Sequence, residues 1–149
     1  MTAHDPAPAS LDNVRKILRD AGLRCTSARL WVLQLLSEST SPLTHAQVVE
    51  TLGPKGFDPA TIFRNLKELA ESGLVSRIEL GDHVWRFELK RGNSEGSFEH
   101  PHFVCVDCGG VTCLDDVNVA IKPTTGKTKQ KLEVTEVLLK GHCGSCETK

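Results

Sequence analysis

The sequence predicts an α+β protein: a helical N-terminal domain closed by a β-hairpin, then a small strand-rich C-terminal domain. Apolar residues recur at helical spacing as far as Leu69 and at alternate positions after Gly73. Two C-x-x-C pairs then stand far apart, at Cys105/Cys108 and Cys143/Cys146. Composition narrows the class further. The 149 residues carry 18 Lys and Arg against 19 Asp and Glu, a formal net charge of -1, so any nucleic-acid contact must come from a local patch. No apolar run approaches membrane-spanning length, and the start lacks the pattern of a signal peptide. Six cysteines in such a chain favour metal or redox use over structural disulfides, and a cytoplasmic location is the expectation.

Met1 to Ala9 is rich in Pro and Ala and is expected to be a disordered tail. Residues 10–90 form the first domain. Leu11, Val14, Ile17, Leu18 and Ala21 share one helical face, with Ser10 as its cap and Gly22 as its stop. A second helix starts near Thr26 and runs through Leu30, Leu33 and Leu36. Thr44-His45-Ala46-Gln47 is a capping box, which opens a helix with Val48, Val49 and Leu52. Asp58-Pro59 caps another, with Pro in its allowed first position and Ile62, Leu66 and Leu69 inward. Ser76, Ile78 and Leu80 then alternate with charges, Gly81-Asp82 suits a two-residue turn, and Trp85, Phe87 and Leu89 share one face of a returning strand. Short helices followed by a hairpin are the order of a winged helix-turn-helix. The helix after Asp58 would then be the recognition helix, with Thr61, Phe63, Arg64 and Asn65 near the end that meets base edges. Arg15, Arg19, Arg24 and Arg29 are candidates for phosphate or minor-groove contact. A generic helical domain with a hairpin is the competing account of this half.

Residues 91–97, rich in Gly, Asn and Ser, read as a hinge, and 98–149 as the second domain. Two thiolates held by a tight turn grip one metal, and two such turns complete a four-cysteine zinc site from Cys105, Cys108, Cys143 and Cys146. Phe98 to Val106 is a strand candidate. In it, His100 and His102 point to the same face, and Pro101 keeps the segment extended. Glu88 could bring a carboxylate to that pair across the hinge, and His83 at the hairpin turn could reach the same space. Mixed N/O ligation suits Fe(II), Zn(II), Mn(II) or Ni(II). Cys113, on the strand Val111 to Leu114, is spare once four cysteines hold zinc; it is either an inert thiol or a regulatory ligand or redox sensor. Cys25 reads as a small packed residue. Asp115-Asp116 either donates to metal or caps a turn.

Taken together, these residues resemble the ferric uptake regulator family of metal-dependent repressors. The carriers are Gly22 to Arg29, Pro59 to Leu66, Gly73-Leu74-Val75, Phe87-Glu88-Leu89, His100-Pro101-His102-Phe103, Cys105 to Gly109, and Gly141 to Cys146. The resemblance implies a homodimer, built from an N-terminal winged helix-turn-helix domain and a small α/β zinc-containing dimerisation domain at 98–149, whose winged helices close on an AT-rich palindrome in double-stranded DNA when metal binds. It implies structural Zn(II) on Cys105, Cys108, Cys143 and Cys146. It also implies a regulatory metal, Fe(II) or Zn(II) with Mn(II) and Ni(II) as further candidates, on Glu88, His100 and His102. Arg24 matches the family's basic minor-groove residue, and Phe63 and Arg64 its recognition pair, with Phe for the commoner Tyr.

Several positions depart from the family pattern. Pro42 stands where members often have a further regulatory histidine, with His45 three residues on; His83 is the expected substitute. Glu99, Pro101 and Thr135 stand where a further site has His, Asp and His. Residues 117–131 contain Pro123 and Thr124-Thr125-Gly126, where members have a long helix.

Two rival classes remain. A thiol-redox enzyme would need its C-x-x-C at a helix N-terminus in a βαβ unit, whereas glycines and strands flank these pairs, so no enzyme is expected. A zinc-ribbon adaptor that binds only protein leaves the recognition-helix segment unexplained.

Overall fold

The computed structural model describes residues 10–90, 100–122, 124–127, 132, 134 and 136–146. The expected tail, Met1 to Ala9, and hinge, Arg91 to Ser97, lie outside them. The chain divides into two compact units, Met1–Lys90 and Arg91–Lys149.

In the N-terminal unit each helix begins where a side chain satisfies a backbone N–H that the helix itself leaves bare. Ser10 caps α1 (Leu11–Asp20) and Thr26 caps α2 (Ser27–Glu38), by accepting from Asn13 N and Arg29 N respectively. Thr44 ends the short strand β1 (Leu43–Thr44) and caps α3 (His45–Leu52). Its hydroxyl accepts from Gln47 N at 3.2 Å, while Gln47 Oε1 accepts from Thr44 N at 2.8 Å. A single 3-10 turn at Gly53–Lys55 follows. Asp58 caps α4 (Pro59–Glu71), its carboxylate accepting from Thr61 N at 2.7 Å and from the Thr61 hydroxyl at 3.1 Å. The helices close on a core of Val14, Leu18, Val32, Leu33, Leu36, Val48, Leu52, Ile62, Leu66 and Leu69, with Val75 and Phe87 from the sheet. Leu11, expected inward, is 41% exposed.

The hairpin strands β2 (Val75–Glu79) and β3 (Trp85–Leu89) are antiparallel, and β1 pairs on the far side of β3 with Leu43 opposite Phe87. The turn is longer than the two residues expected. Strand pairing stops at Glu79 and resumes at Trp85, because side chains organise the residues between. The Glu79 carboxylate accepts from both Gly81 N and His83 N at 2.7 Å, and Asp82 accepts from Val84 N at 3.2 Å and from the Arg86 guanidinium at 2.8 Å. His83 takes the left-handed conformation, with φ 60°.

The cap of α4 has a pH signature. The Thr61 backbone N–H, then its hydroxyl, hold the Asp58 carboxyl below its usual range. A depressed carboxylate contributes stability fully above the ordinary carboxylate pKa and loses it as pH falls through the lowered value. Asp58→Asn keeps a capping oxygen but removes the charge. Acid titration of unfolding should therefore show a shallower loss of stability below about pH 4 in the variant than in the parent; parallel curves would mean the cap carries no charge-dependent stability.

In the C-terminal unit, β4 (His102–Cys105) lies between β5 (Val111–Cys113) and β6 (Leu138–Gly141). It runs antiparallel to β5 and parallel to β6. The expected strand from Phe98 is shorter, since pairing begins at His102, and Phe98 and Glu99 lie outside the described residues. No helix occurs among the described residues of 117–131. No helix among the described residues is long and apolar enough to cross a membrane.

Candidate metal centres and nucleic-acid face

Parallel pairing sends the C-terminal ends of β4 and β6 to the same edge of their sheet, with Cys105 opposite Gly141. Each strand runs on into a C-x-x-C turn, so two turns far apart in sequence meet side by side. Val106 N donates to Gly141 O at 2.9 Å across the junction. In the first turn Gly109 N donates to Cys105 O and Cys105 N to Gly110 O, both at 2.9 Å. Gly109 sits at φ 70°, where a side chain is strained. In the second turn Cys146 N donates to Cys143 O at 3.0 Å. Gly141 is required for a different reason: a Cβ there would come within 3.1 Å of the Phe103 ring.

The sulfurs of Cys105, Cys108, Cys143 and Cys146 all lie within 4.8 Å of one another, and none is in a disulfide. Cys108 Sγ and Cys143 Sγ are 3.9 Å apart. Tetrahedral zinc with Zn–S bonds of about 2.3 Å needs sulfurs about 3.8 Å apart, so this donor set fits a zinc ion. Backbone N–H groups already face the sulfurs: Gly110 N lies 3.4 Å from Cys108 Sγ and Cys143 N 3.3 Å from Cys105 Sγ. The N–H groups of Cys108 and Cys143 draw the Cys105 thiol down to about 6. Hydrogen bonding to the sulfurs of Cys143 and then Cys108 holds the Cys146 thiol up to about 12. Four sulfurs this close favour being deprotonated together only where a divalent cation would balance the thiolates. The two turns also meet through His142 Nδ1 and Asp107, 2.5 Å apart, a contact that raises the histidine's pKa. Sequence reasoning missed this pair, although each residue flanks or lies inside a C-x-x-C.

A second donor cluster lies on the same sheet. Cys113 is directly opposite His102, so their side chains leave one face together. His100 has the same parity two residues earlier, and the two imidazole centroids are 4.6 Å apart. Ring nitrogens of His100 and His102 and the sulfur of Cys113 lie within 4.8 Å of one another. His102 is only 4% exposed. Asp115 Oδ1 lies 3.4 Å from His100 Nδ1, which directs any metal to the other ring nitrogen. In the N-terminal unit Glu88 is a buried carboxylate on β3, 8% exposed, and His83 stands exposed in the hairpin loop.

The first turns of α4 present a different chemistry. Phe63 is 51% exposed and meets His45 edge-on at 5.6 Å, and His45 Nε2 lies 2.9 Å from Pro59 O. Arg64 is exposed beside it, 3.4 Å from the Thr61 hydroxyl. An aromatic ring and a guanidinium, both solvent-facing at a helix N-terminal half, suit stacking on and hydrogen bonding to base edges. Arg24 is exposed as well. Asn65 does not share this face. It is 8% exposed and its amide donates to Thr61 O at 2.8 Å, because it falls on the stripe of Ile62, Leu66 and Leu69. Arg29 is also committed inside its unit, donating to Arg24 O at 2.7 Å and pairing with Glu68 of α4. Cys25, expected to be packed, is exposed, 3.8 Å from Arg15 O.

A helix-turn-helix with a wing, joined to a sheet that gathers two sets of metal-type donors, defines a class of metal-linked DNA-binding proteins. The ferric uptake regulator family matches residues 20–142. The ferric uptake regulation protein of Legionella pneumophila is 34% identical over 137 residues, covering 87% of this chain and 96% of its own. The peroxide operon regulator of Bacillus subtilis is 28% identical over 158 aligned positions, covering 100% of this chain and 98% of its own. The crystal structure of the Vibrio cholerae ferric uptake regulator superposes with a TM-score of 0.62 at 25% identity, covering 87% of this chain and 98% of the other. The chain belongs to the ferric uptake regulator family.

Proposed function

We propose that the protein is a metal-responsive, DNA-binding transcriptional repressor of metal-homeostasis genes, working in the cytoplasm as a homodimer on an AT-rich palindrome. One observation carries the reading. A single chain of this family combines a solvent-facing aromatic and arginine on α4 with two donor clusters of different chemistry, one all-thiolate and one built on histidines. In this reading Cys105, Cys108, Cys143 and Cys146 hold structural zinc. His100 and His102 hold the regulatory metal, Fe(II) or Zn(II), with Glu88 adding a carboxylate and His83 a further ligand. Phe63, Arg64 and Thr61 meet the major groove and Arg24 the minor groove, while Asn65 keeps a structural role within α4. The protein is a regulator rather than an enzyme.

Ligands on both sides of residues 91–97 would let a metal favour one arrangement of the units without building either. The strength of that switch equals the metal's differential affinity for the two arrangements.

The test is a DNA-binding titration of zinc-loaded protein with Fe(II), Zn(II), Mn(II) and Ni(II), with metal content measured in parallel. Binding should be metal-dependent and should weaken steeply with salt, because Lys and Arg displace counterions from phosphate. Arg64→Ala should cost about 1–3 kcal/mol of discrimination between the palindrome and a scrambled site. Equal affinity of the parent protein for both sites would defeat the reading and favour a protein-binding zinc ribbon.

A further inference from the structure

We infer that Cys113 is a thiolate ligand of the histidine-based metal site and tunes that site toward zinc. The inference rests on the reading above that His100 and His102 hold a metal, and it adds the donor that decides which one. The carbon framework already aims the sulfur there. Cys113 is the residue directly opposite His102 in the β4–β5 ladder, so the two side chains project from one face at the shortest lateral spacing a sheet offers. Its sulfur lies within 4.8 Å of a ring nitrogen of each histidine. The thiol does not belong to the four-sulfur cluster, whose members are Cys105, Cys108, Cys143 and Cys146.

Leu114 N donates to Pro101 O at 2.9 Å, which prolongs the pairing past Cys113 and fixes where the next side chains fall. Asp115 accordingly lies beside His100, 3.4 Å from Nδ1, as a carboxylate that orients the ring rather than competing for the metal. One sheet face therefore offers two imidazoles, one thiol and a carboxylate behind an imidazole.

The chemistry of that set differs from an all-N/O site. A thiolate among the ligands favours Zn(II) over the harder Mn(II), and the N/S combination suits tetrahedral coordination. Two nitrogens and one sulfur also leave room for one further donor, a carboxylate, a third imidazole or water. A fully oxygen- and nitrogen-ligated site would show no such preference beyond the ordinary affinity order.

The test uses the full-length protein with its structural zinc retained and Co(II) added as the probe, zinc content being checked so that cobalt has not entered the four-cysteine site. The parent should show visible d–d bands together with a near-ultraviolet sulfur-to-cobalt charge-transfer band. Cys113→Ser should keep the d–d bands and lose the charge-transfer band, and His102→Ala should lose both. Cys113→Asp should lower the ratio of Zn(II) to Mn(II) affinity about tenfold or more, because an oxygen replaces the soft donor. Visible bands without charge transfer in the parent would overturn the Cys113 assignment and leave the histidine site standing. No cobalt bands in the parent would overturn both.

Discussion

Cys143→Ser is expected to strip the protein of zinc and abolish the cooperative melting of the C-terminal unit. The reason lies in where the buried apolar side chains fall among the described residues. The core cluster of buried apolar side chains belongs to the N-terminal unit. Among the described residues after 99, Cys105 and Pro101 are the apolar side chains recorded as buried. With so few buried apolar side chains among its described residues, a unit this small depends on staples to offset its chain entropy. Structural zinc in comparable small peptides contributes about 10–16 kcal/mol to folding at neutral pH. Here it joins the end of β4 to the end of β6, so its loss releases both turns at once. Serine at 143 removes one thiolate and leaves three sulfurs without the geometry or charge to keep the ion. Metal analysis and a thermal scan check the outcome, with Cys25→Ser as the control, since that thiol is exposed and belongs to neither donor cluster. Stoichiometric zinc and unchanged melting in Cys143→Ser would refute the four-thiolate assignment. Acid should release the metal from the parent too, because zinc binds thiolates and not thiols.

What could be read from the sequence was local, and what could not was set by pairing at a distance. Ser10, Thr26, Thr44 and Asp58 each announce a helix because the side chain that satisfies the first N–H groups lies within three residues of them. The two C-x-x-C turns are visible for the same reason. Strand β1 is two residues long and exists only because Leu43 and Thr44 lie along β3. Strand β6, Leu-Leu-Lys-Gly, has no alternation of its own and is defined by its parallel alignment with β4. The hairpin turn exceeds its expected length because Gly81-Asp82 fits a two-residue turn, whereas the carboxylates of Glu79 and Asp82 cap a longer loop. Asn65 carries its own signal in the sequence. It lies three residues after Ile62 and four before Leu69, on the inward stripe, and so could not share a face with Phe63 and Arg64. The relation of Cys113 to His102 was out of reach for sequence alone, since it depends on the register of an antiparallel ladder.

His102→Ala should leave the fold, the dimer and the structural zinc in place while removing the effect of metal on DNA binding. His102 is 96% buried by its 4% exposure and sits in the middle strand of the C-terminal sheet, in the register that brings Cys113 beside it. Its loss takes away one imidazole, and Cys113 is left opposite a methyl group. The four sulfurs at the strand ends are untouched, so zinc content and the melting of the C-terminal unit serve as internal controls that the variant still folds. Allosteric coupling between two ligands is typically worth about 1–3 kcal/mol, or about 5–150-fold in affinity. The parent should therefore bind its operator more tightly by a factor in that range when the regulatory metal is added, and His102→Ala should bind equally well with and without it. Linkage makes the same claim in reverse: operator DNA should tighten metal binding in the parent by the same factor and leave the variant unchanged. His83→Ala separates a ligand from a wing residue. Weaker metal binding assigns it to the site, whereas unchanged metal affinity with weaker DNA binding assigns it to the wing. Should His102→Ala respond to metal as the parent does, the histidine cluster is not the sensor, and the switch must be sought away from this face of the sheet.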